Sequence, residues 1–202
     1  MTKLLLTSTG FANRNITNTF LQMIGKPASQ IKIVFVPTAA RSEEELKYVE
    51  ESKKELLDLG IPENSIKNLR LNKPVSFEEV KDFDALYVCG GNTFYLLKKV
   101  RETGFDKVIT KFAKTDRLYF GVSAGSILVC PNIEIASPFD ENNVGLTDFA
   151  GLHLTDVIVS PHYSTKEKKI IDKFKKKSQY EVVPLTDNQA LLVINGETKI
   201  IE

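Results

Sequence analysis

Three short stretches of this chain are apolar without the polar alternation of a half-solvated strand: Ile31–Pro37, which carries Ile33-Val-Phe-Val36, Ala85–Cys89, and Arg117-Leu-Tyr-Phe120. Such runs belong at the centre of a parallel sheet covered by helices on both faces. The intervening segments supply those helices. Asn15–Ile24 reads as a first helix after an apolar strand at Lys3–Ser8. Ser42-Glu-Glu-Glu45 is a capping box that opens a second, with Leu46, Val49, Leu56, Leu57 and Leu59 on one face up to Gly60. Ile66–Leu71 is a weaker strand. Phe94, Leu96, Leu97 and Val100 mark a third helix, and Phe105–Lys114 a fourth. Strands alternating with helices predict an α/β fold with a mostly parallel sheet.

The second half is less regular. Asn132–Ala136 is expected as a short strand, Ser137–Gly151 as a polar loop, and Val157–Ser160 as a strand ending in Pro161-His162-Tyr163. Lys166–Lys177 reads as a helix with Ile170, Ile171 and Phe174 inside and its lysines in solvent. Glu181–Leu185, Ala190–Ile194 and Thr198–Ile201 complete the chain as strands, the last two joined by the hairpin dipeptide Asn195-Gly196. With no repeat or linker, residues 1–202 are expected to form one domain with antiparallel C-terminal strands. A net charge of +1 gives no general attraction to nucleic acid or anionic membrane. No apolar run reaches the ~20 residues of a membrane span, and the N-terminal apolar segment is too short for a signal peptide. A cytoplasmic protein is expected. Cys89 and Cys130 sit in apolar contexts and are expected as buried thiols. With His153 and His162 the only histidines, no metal site is expected.

The chemistry is expected at Gly121-Val-Ser-Ala-Gly125, a Gly-x-Ser-x-Gly pentapeptide between a strand and a short apolar helix. This is the pattern of a nucleophile elbow, where small neighbours let strand and helix pass closely and a strained serine is exposed. Ligands of open α/β sheets bind beyond the carboxyl ends of the strands. Four loops follow strands there: Gly90-Gly91-Asn92, Gly121–Gly125, Ser160-Pro-His162 and Thr186-Asp-Asn188. Together they hold what acyl transfer requires. Ser123 is the candidate nucleophile and His162 the candidate base, because imidazole titrates near neutral pH and can return the proton to a leaving amine. The backbone N–H groups of Gly91 and Ala124 are the candidate oxyanion hole. Asn92 reads equally as an N-cap. His153, in Gly-Leu-His-Leu, reads as structural.

These segments resemble the peptidase E (aspartyl dipeptidase) family of serine peptidases, which also includes the cyanophycinases. The matching signatures are Cys89-Gly-Gly-Asn-Thr93, Gly121-Val-Ser-Ala-Gly-Ser126 with Cys130-Pro131 after it, Ser160-Pro-His-Tyr163, and Val36-Pro37-Thr-Ala-Ala. The resemblance spans nearly the whole chain. It implies a fold like the class I glutamine amidotransferases and flavodoxin, and a cofactor-free serine peptidase acting through Ser123 and His162 on small peptides. The family's acid, a Glu beyond the strand that follows the histidine's helix, falls at Asp187, one methylene shorter; Asp140 is the alternative. Members that cleave after an N-terminal aspartate use an Arg shortly after the histidine. Pro161–Lys169 contains none. Lys166 is the substitute candidate, with Asn92 and Tyr163, for binding substrate, but an ammonium is a point donor rather than a bidentate fork. A catalytically altered binding or regulatory homologue is the competing expectation. An ester-cleaving α/β-hydrolase fits less well, since that fold orders its triad Ser, acid, His. An amidotransferase would need Cys at the elbow. An exposed edge strand would allow two copies to pair as a homodimer.

Overall fold

The computed structural model describes residues 1–202. A seven-stranded sheet has the order β3-β2-β4-β5-β1-β8-β9. Its strands are β1 (Lys3–Thr7), β2 (Ile33–Val36), β3 (Ile66–Asn68), β4 (Ala85–Val88), β5 (Leu118–Val122), β8 (Ala190–Ile194) and β9 (Glu197–Ile201). The first five are parallel; β8 adds antiparallel to β1, and β9 antiparallel to β8. Asn195 and Gly196 both have positive φ, as the predicted tight hairpin between β8 and β9 requires.

The central strands are buried along their length. Alternate residues feed two cores, as strand geometry dictates. Leu5, Phe35, Tyr87 and Phe120 face α1 (Arg14–Ile24) and α2 (Glu43–Asp58). Leu4, Leu6, Val36, Val88 and Tyr119 face α3 (Thr93–Glu102), α4 (Phe105–Ala113) and α5 (Ala124–Leu128). The capping box is formed: Glu45 N–H donates to Ser42 Oγ at 3.1 Å, and Ser42 N–H donates to Glu45 Oε2 at 2.8 Å.

Four details differ from the sequence expectations. β6 (Val157–Ser160) and β7 (Glu181–Pro184) do not join the main sheet; they pair with each other, in parallel, as a separate two-stranded sheet. Residues 134–136 form a 3₁₀ turn rather than a strand, with a single bridge between Asn132 and Ala150. In α6 (Lys168–Lys175), Ile171 is buried but Ile170 is exposed. Leu57 of α2 likewise faces outward. In both helices the exposed residue adjoins a buried one, and a helix turns about 100° per residue. The 137–151 loop is irregular as expected, yet it is docked: Arg101 donates to the Asp148 and Ala150 carbonyls at 2.9 and 2.7 Å, and Phe149 packs edge-on against Phe94. No helix is long and apolar enough to cross a membrane.

Candidate active site

Ser123 sits between β5 and α5 with φ 48° and ψ −110°, outside the regions that L-residues ordinarily occupy. Local wiring holds it there. Its N–H donates to the Thr7 carbonyl at 3.0 Å, Ser126 Oγ donates to the same carbonyl at 2.8 Å, and Thr7 Oγ1 donates to the Gly121 carbonyl at 2.9 Å. The flanking glycines are required by backbone contact. A Cβ on Gly121 would lie 2.7 Å from the Gly125 carbonyl oxygen, and one on Gly125 only 2.2 Å from that of Val88. Gly125→Ala is therefore expected to cost more than about 3 kcal/mol of stability, because backbone cannot yield as a side chain can; urea denaturation measures it.

The parallel register of β6 and β7, with Ser160 opposite Pro184, brings both strand ends to one edge. Leu185 N–H donates to the Ser160 carbonyl and Tyr163 N–H to that of Leu185, each at 2.9 Å, which extends the pairing past the strands. His162 and Asp187 thereby become neighbours. His162 Nδ1 lies 2.8 Å from Asp187 Oδ1, and its Nε2 lies 3.0 Å from Ser123 Oγ. His162 has φ 55°, a second strained residue at the same place.

Ser8, just beyond β1, is a member of this cluster that sequence reasoning missed. Its hydroxyl accepts the His162 backbone N–H at 2.7 Å and donates to Asp187 Oδ1 at 2.9 Å, on a fully buried side chain. Thr9 Oγ1 donates to the Asp187 carbonyl at 2.8 Å. Nothing in Thr7-Ser8-Thr9 announces this, since a polar residue at a strand end is ordinary.

Gly91 has φ 131°, and a Cβ on it would lie 2.4 Å from the Ala39 backbone. The Gly91 and Ala124 N–H groups donate to no protein acceptor. Asn92 caps α3: its Oδ1 accepts the Tyr95 N–H at 2.9 Å, and its Nδ2 donates to the Glu141 carbonyl at 2.9 Å. Asp140 caps the same helix, accepting the Thr93 N–H at 2.7 Å, and makes no hydrogen bond to His162. Burial raises the Asp140 carboxyl above the usual range; its hydrogen bonds from Thr93 oppose this, Glu45 adds to it, and the charge of His162 opposes it least. Tyr163 is half-buried against the core, and Lys166 is exposed on the loop before α6. His153 lies elsewhere, 2.9 Å from Asp156 and edge-on to Tyr180. Both thiols are free and buried, and burial pushes Cys130 up to about 12. No three His, Cys, Asp or Glu side chains converge as they would around a metal ion.

A cavity of about 420 Å³ opens beside Ser123 and His162. The strand-end loops form one wall and α2 the other. Neither Tyr163, Lys166 nor Asn92 lines it.

Against this geometry, the model of peptidase family S51 matches residues 4–201. The chain belongs to peptidase family S51. This member is a serine-type peptidase, a hydrolase of peptide bonds. It is 36% identical over 174 residues to an uncharacterized peptidase of Listeria monocytogenes, covering 82% of this chain and 83% of that one. An uncharacterized peptidase of Pasteurella multocida is 34% identical, over 100% of this chain and 97% of its own. Peptidase E of Salmonella arizonae is 30% identical, over 81% and 73%. Among solved structures, a Listeria monocytogenes protein provisionally assigned to peptidase E superposes with a TM-score of 0.80 at 30% identity, covering 99% of this chain and 98% of that one. The S51 member has the α/β architecture expected from its sequence, antiparallel C-terminal strands included.

Proposed function

We propose that the protein hydrolyses small peptides through an acyl-enzyme intermediate, with Ser123 as nucleophile, His162 as general base and acid, and Asp187 orienting the imidazole. The observation that carries this reading is the continuous contact chain from Ser123 Oγ through His162 to Asp187, at 3.0 and 2.8 Å. Ser123 Oγ attacks the scissile carbonyl carbon while His162 Nε2 takes its proton. The carbonyl oxygen becomes an oxyanion, and the unpaired N–H groups of Gly91 and Ala124 stabilise it. Collapse breaks the C–N bond, and the amine leaves with the proton from His162. Water then attacks the acyl-enzyme, again giving its proton to His162. The acid product departs and Ser123 regains its hydrogen. Asp187 accepts from Nδ1–H throughout and so keeps Nε2 free as the base. A cavity of about 420 Å³ suits one or two residues of substrate rather than a folded chain.

A fluorophosphonate probe tests the nucleophile directly. Labelling is expected at Ser123 in the folded protein and is expected to be lost in His162→Ala. No labelling of folded wild type would overturn the proposal and favour a ligand-binding homologue of the same fold.

A further inference from the structure

The three groups of the contact chain are divided between two sheets. Ser123 follows β5 of the seven-stranded sheet, whereas His162 and Asp187 follow β6 and β7, which pair only with each other. The distance from Ser123 Oγ to the imidazole therefore depends on what sets one sheet against the other. Ile158 and Val159 of β6 are buried in the same core as Ala124 and Leu128, and the Val159 N–H donates to Cys130 Sγ at 3.4 Å. Apolar contact of this kind is non-directional. Nor does packing immobilise the base and the acid, whose side chains are 52% and 62% exposed.

The directional contacts come from Thr7-Ser8-Thr9 at the end of β1, a strand in register with β5, Thr7 opposite Val122. Thr7 serves the nucleophile, since its carbonyl accepts both the Ser123 N–H and Ser126 Oγ. The next two residues serve the other pair. Ser8 Oγ accepts the His162 N–H at 2.7 Å and donates to Asp187 Oδ1 at 2.9 Å, and Thr9 Oγ1 donates to the Asp187 carbonyl at 2.8 Å. Asn13 Nδ2 adds a bond to the Asn188 carbonyl at 2.8 Å. Neighbouring residues of one strand end thus hold both halves.

Ser8 carries the most consequence. Its side chain is fully buried, so water does not compete for these partners. A serine hydroxyl has one hydrogen, and here it goes to Asp187 Oδ1, the oxygen that also lies 2.8 Å from His162 Nδ1. Nδ1 itself is 3.4 Å from Ser8 Oγ. Were the hydroxyl turned toward Nδ1, that nitrogen would have to be bare, its lone pair would face a carboxylate oxygen, and Nε2 would hold the ring hydrogen and could not take one from Ser123. Two donors converging on Oδ1 select the opposite tautomer. The bond to the His162 N–H acts on the backbone, at a residue with φ 55°.

We propose that Ser8 is a positioning residue for hydrolysis: acting through His162 and Asp187, it fixes the imidazole against Ser123 in the tautomer that leaves Nε2 as base, while Thr9 holds the backbone of the acid. This role rests on Ser123 being the nucleophile and His162 its base.

Ser8→Ala removes both bonds by deleting one oxygen. Fluorophosphonate labelling of Ser123 is expected to slow about 10–100-fold. On the dipeptide that wild type cleaves fastest, kcat should fall by a similar factor with KM within about threefold. In protein labelled with ¹⁵N-histidine, the His162 Nδ1–H resonance should shift or broaden in Ser8→Ala, and thermal unfolding checks the fold. A merely structural role would lower the melting temperature and leave the resonance and the labelling rate of the folded protein unchanged. A folded Ser8→Ala that labels within about threefold of wild type, or whose Nδ1–H resonance is unmoved, overturns the proposal. Should Ser8→Ala not fold, Thr9→Val decides at an exposed position: labelling slowed several-fold supports the proposal, and an unchanged rate overturns it. Absent labelling of folded wild type, or hydrolysis that survives in Ser123→Ala, instead overturns the reading beneath it.

Discussion

Replacing Ser123 with alanine is expected to lower kcat/KM by about 10⁴-fold or more, with little change in stability. The two halves of this expectation have different physical origins. The hydroxyl is the only atom lost, and its contact is with His162 Nε2. The bonds that hold the elbow run through the Ser123 backbone and through Thr7, Gly121 and Ser126, so alanine keeps them. The strained φ remains, since alanine is no freer than serine there. Steady-state hydrolysis of a panel of dipeptides measures the first half, and thermal unfolding the second. A folded Ser123→Ala variant with more than about a tenth of wild-type activity would exclude Ser123 as nucleophile.

The second large effect separates two carboxylates. Asp187→Asn is expected to reduce kcat by about 10³–10⁴-fold, because an amide beside Nδ1 no longer holds the imidazole in the tautomer that leaves Nε2 as base, nor offsets the charge that develops on it. Asp140→Asn is expected to cost less than about tenfold. Its oxygen binds the Thr93 N–H rather than His162, and an asparagine oxygen can still cap α3. The exchange also replaces a carboxyl disfavoured by burial with a neutral group. The pH profile of kcat/KM adds a second readout: Asp187→Asn should change it far more than Asp140→Asn, because Asp187 contacts the His162 ring and the Asp140 carboxylate acts on it only at longer range. Equal losses in the two variants would refute the assignment of Asp187.

The legible and illegible parts of this protein divide along the range of the interactions involved. The Lys3–Thr7, Ile33–Val36, Ala85–Val88 and Leu118–Val122 strands could be read because each is apolar on both faces. The Ser42 capping box and the Asn195-Gly196 hairpin are motifs of four residues or fewer. The failures are of another kind. Residues 132–136, Asn-Ile-Glu-Ile-Ala, alternate polar and apolar over only five positions, and Ile133, Ile135 and Ala136 are buried; nothing in so brief a run separates a strand from a 3₁₀ turn. Ile170 and Leu57 differ from their buried neighbours only in which way the helix happens to face. That β6 and β7 leave the main sheet depends on partners far away in sequence, which periodicity does not report.

The site follows the same division. The sequence alone pointed to Ser123 as the candidate nucleophile through its Gly-x-Ser-x-Gly pattern; Gly121 answers to local sterics, facing the Gly125 carbonyl, whereas what requires Gly125 is the Val88 carbonyl of the neighbouring strand. It also supplied His162 and Asp187 as residues just beyond strand ends. Only the tertiary structure decided that these two meet, through the parallel register of a two-stranded sheet. It decided too that Asp140 is a helix cap and that Ser8 holds His162 and Asp187 together. The cavity's charge lies furthest from sequence reading. Glu45, Glu51 and Glu55 belong to a helix that reads as amphipathic in sequence, and only the packing of α2 beside the strand ends brings them to the wall of the cavity next to Ser123.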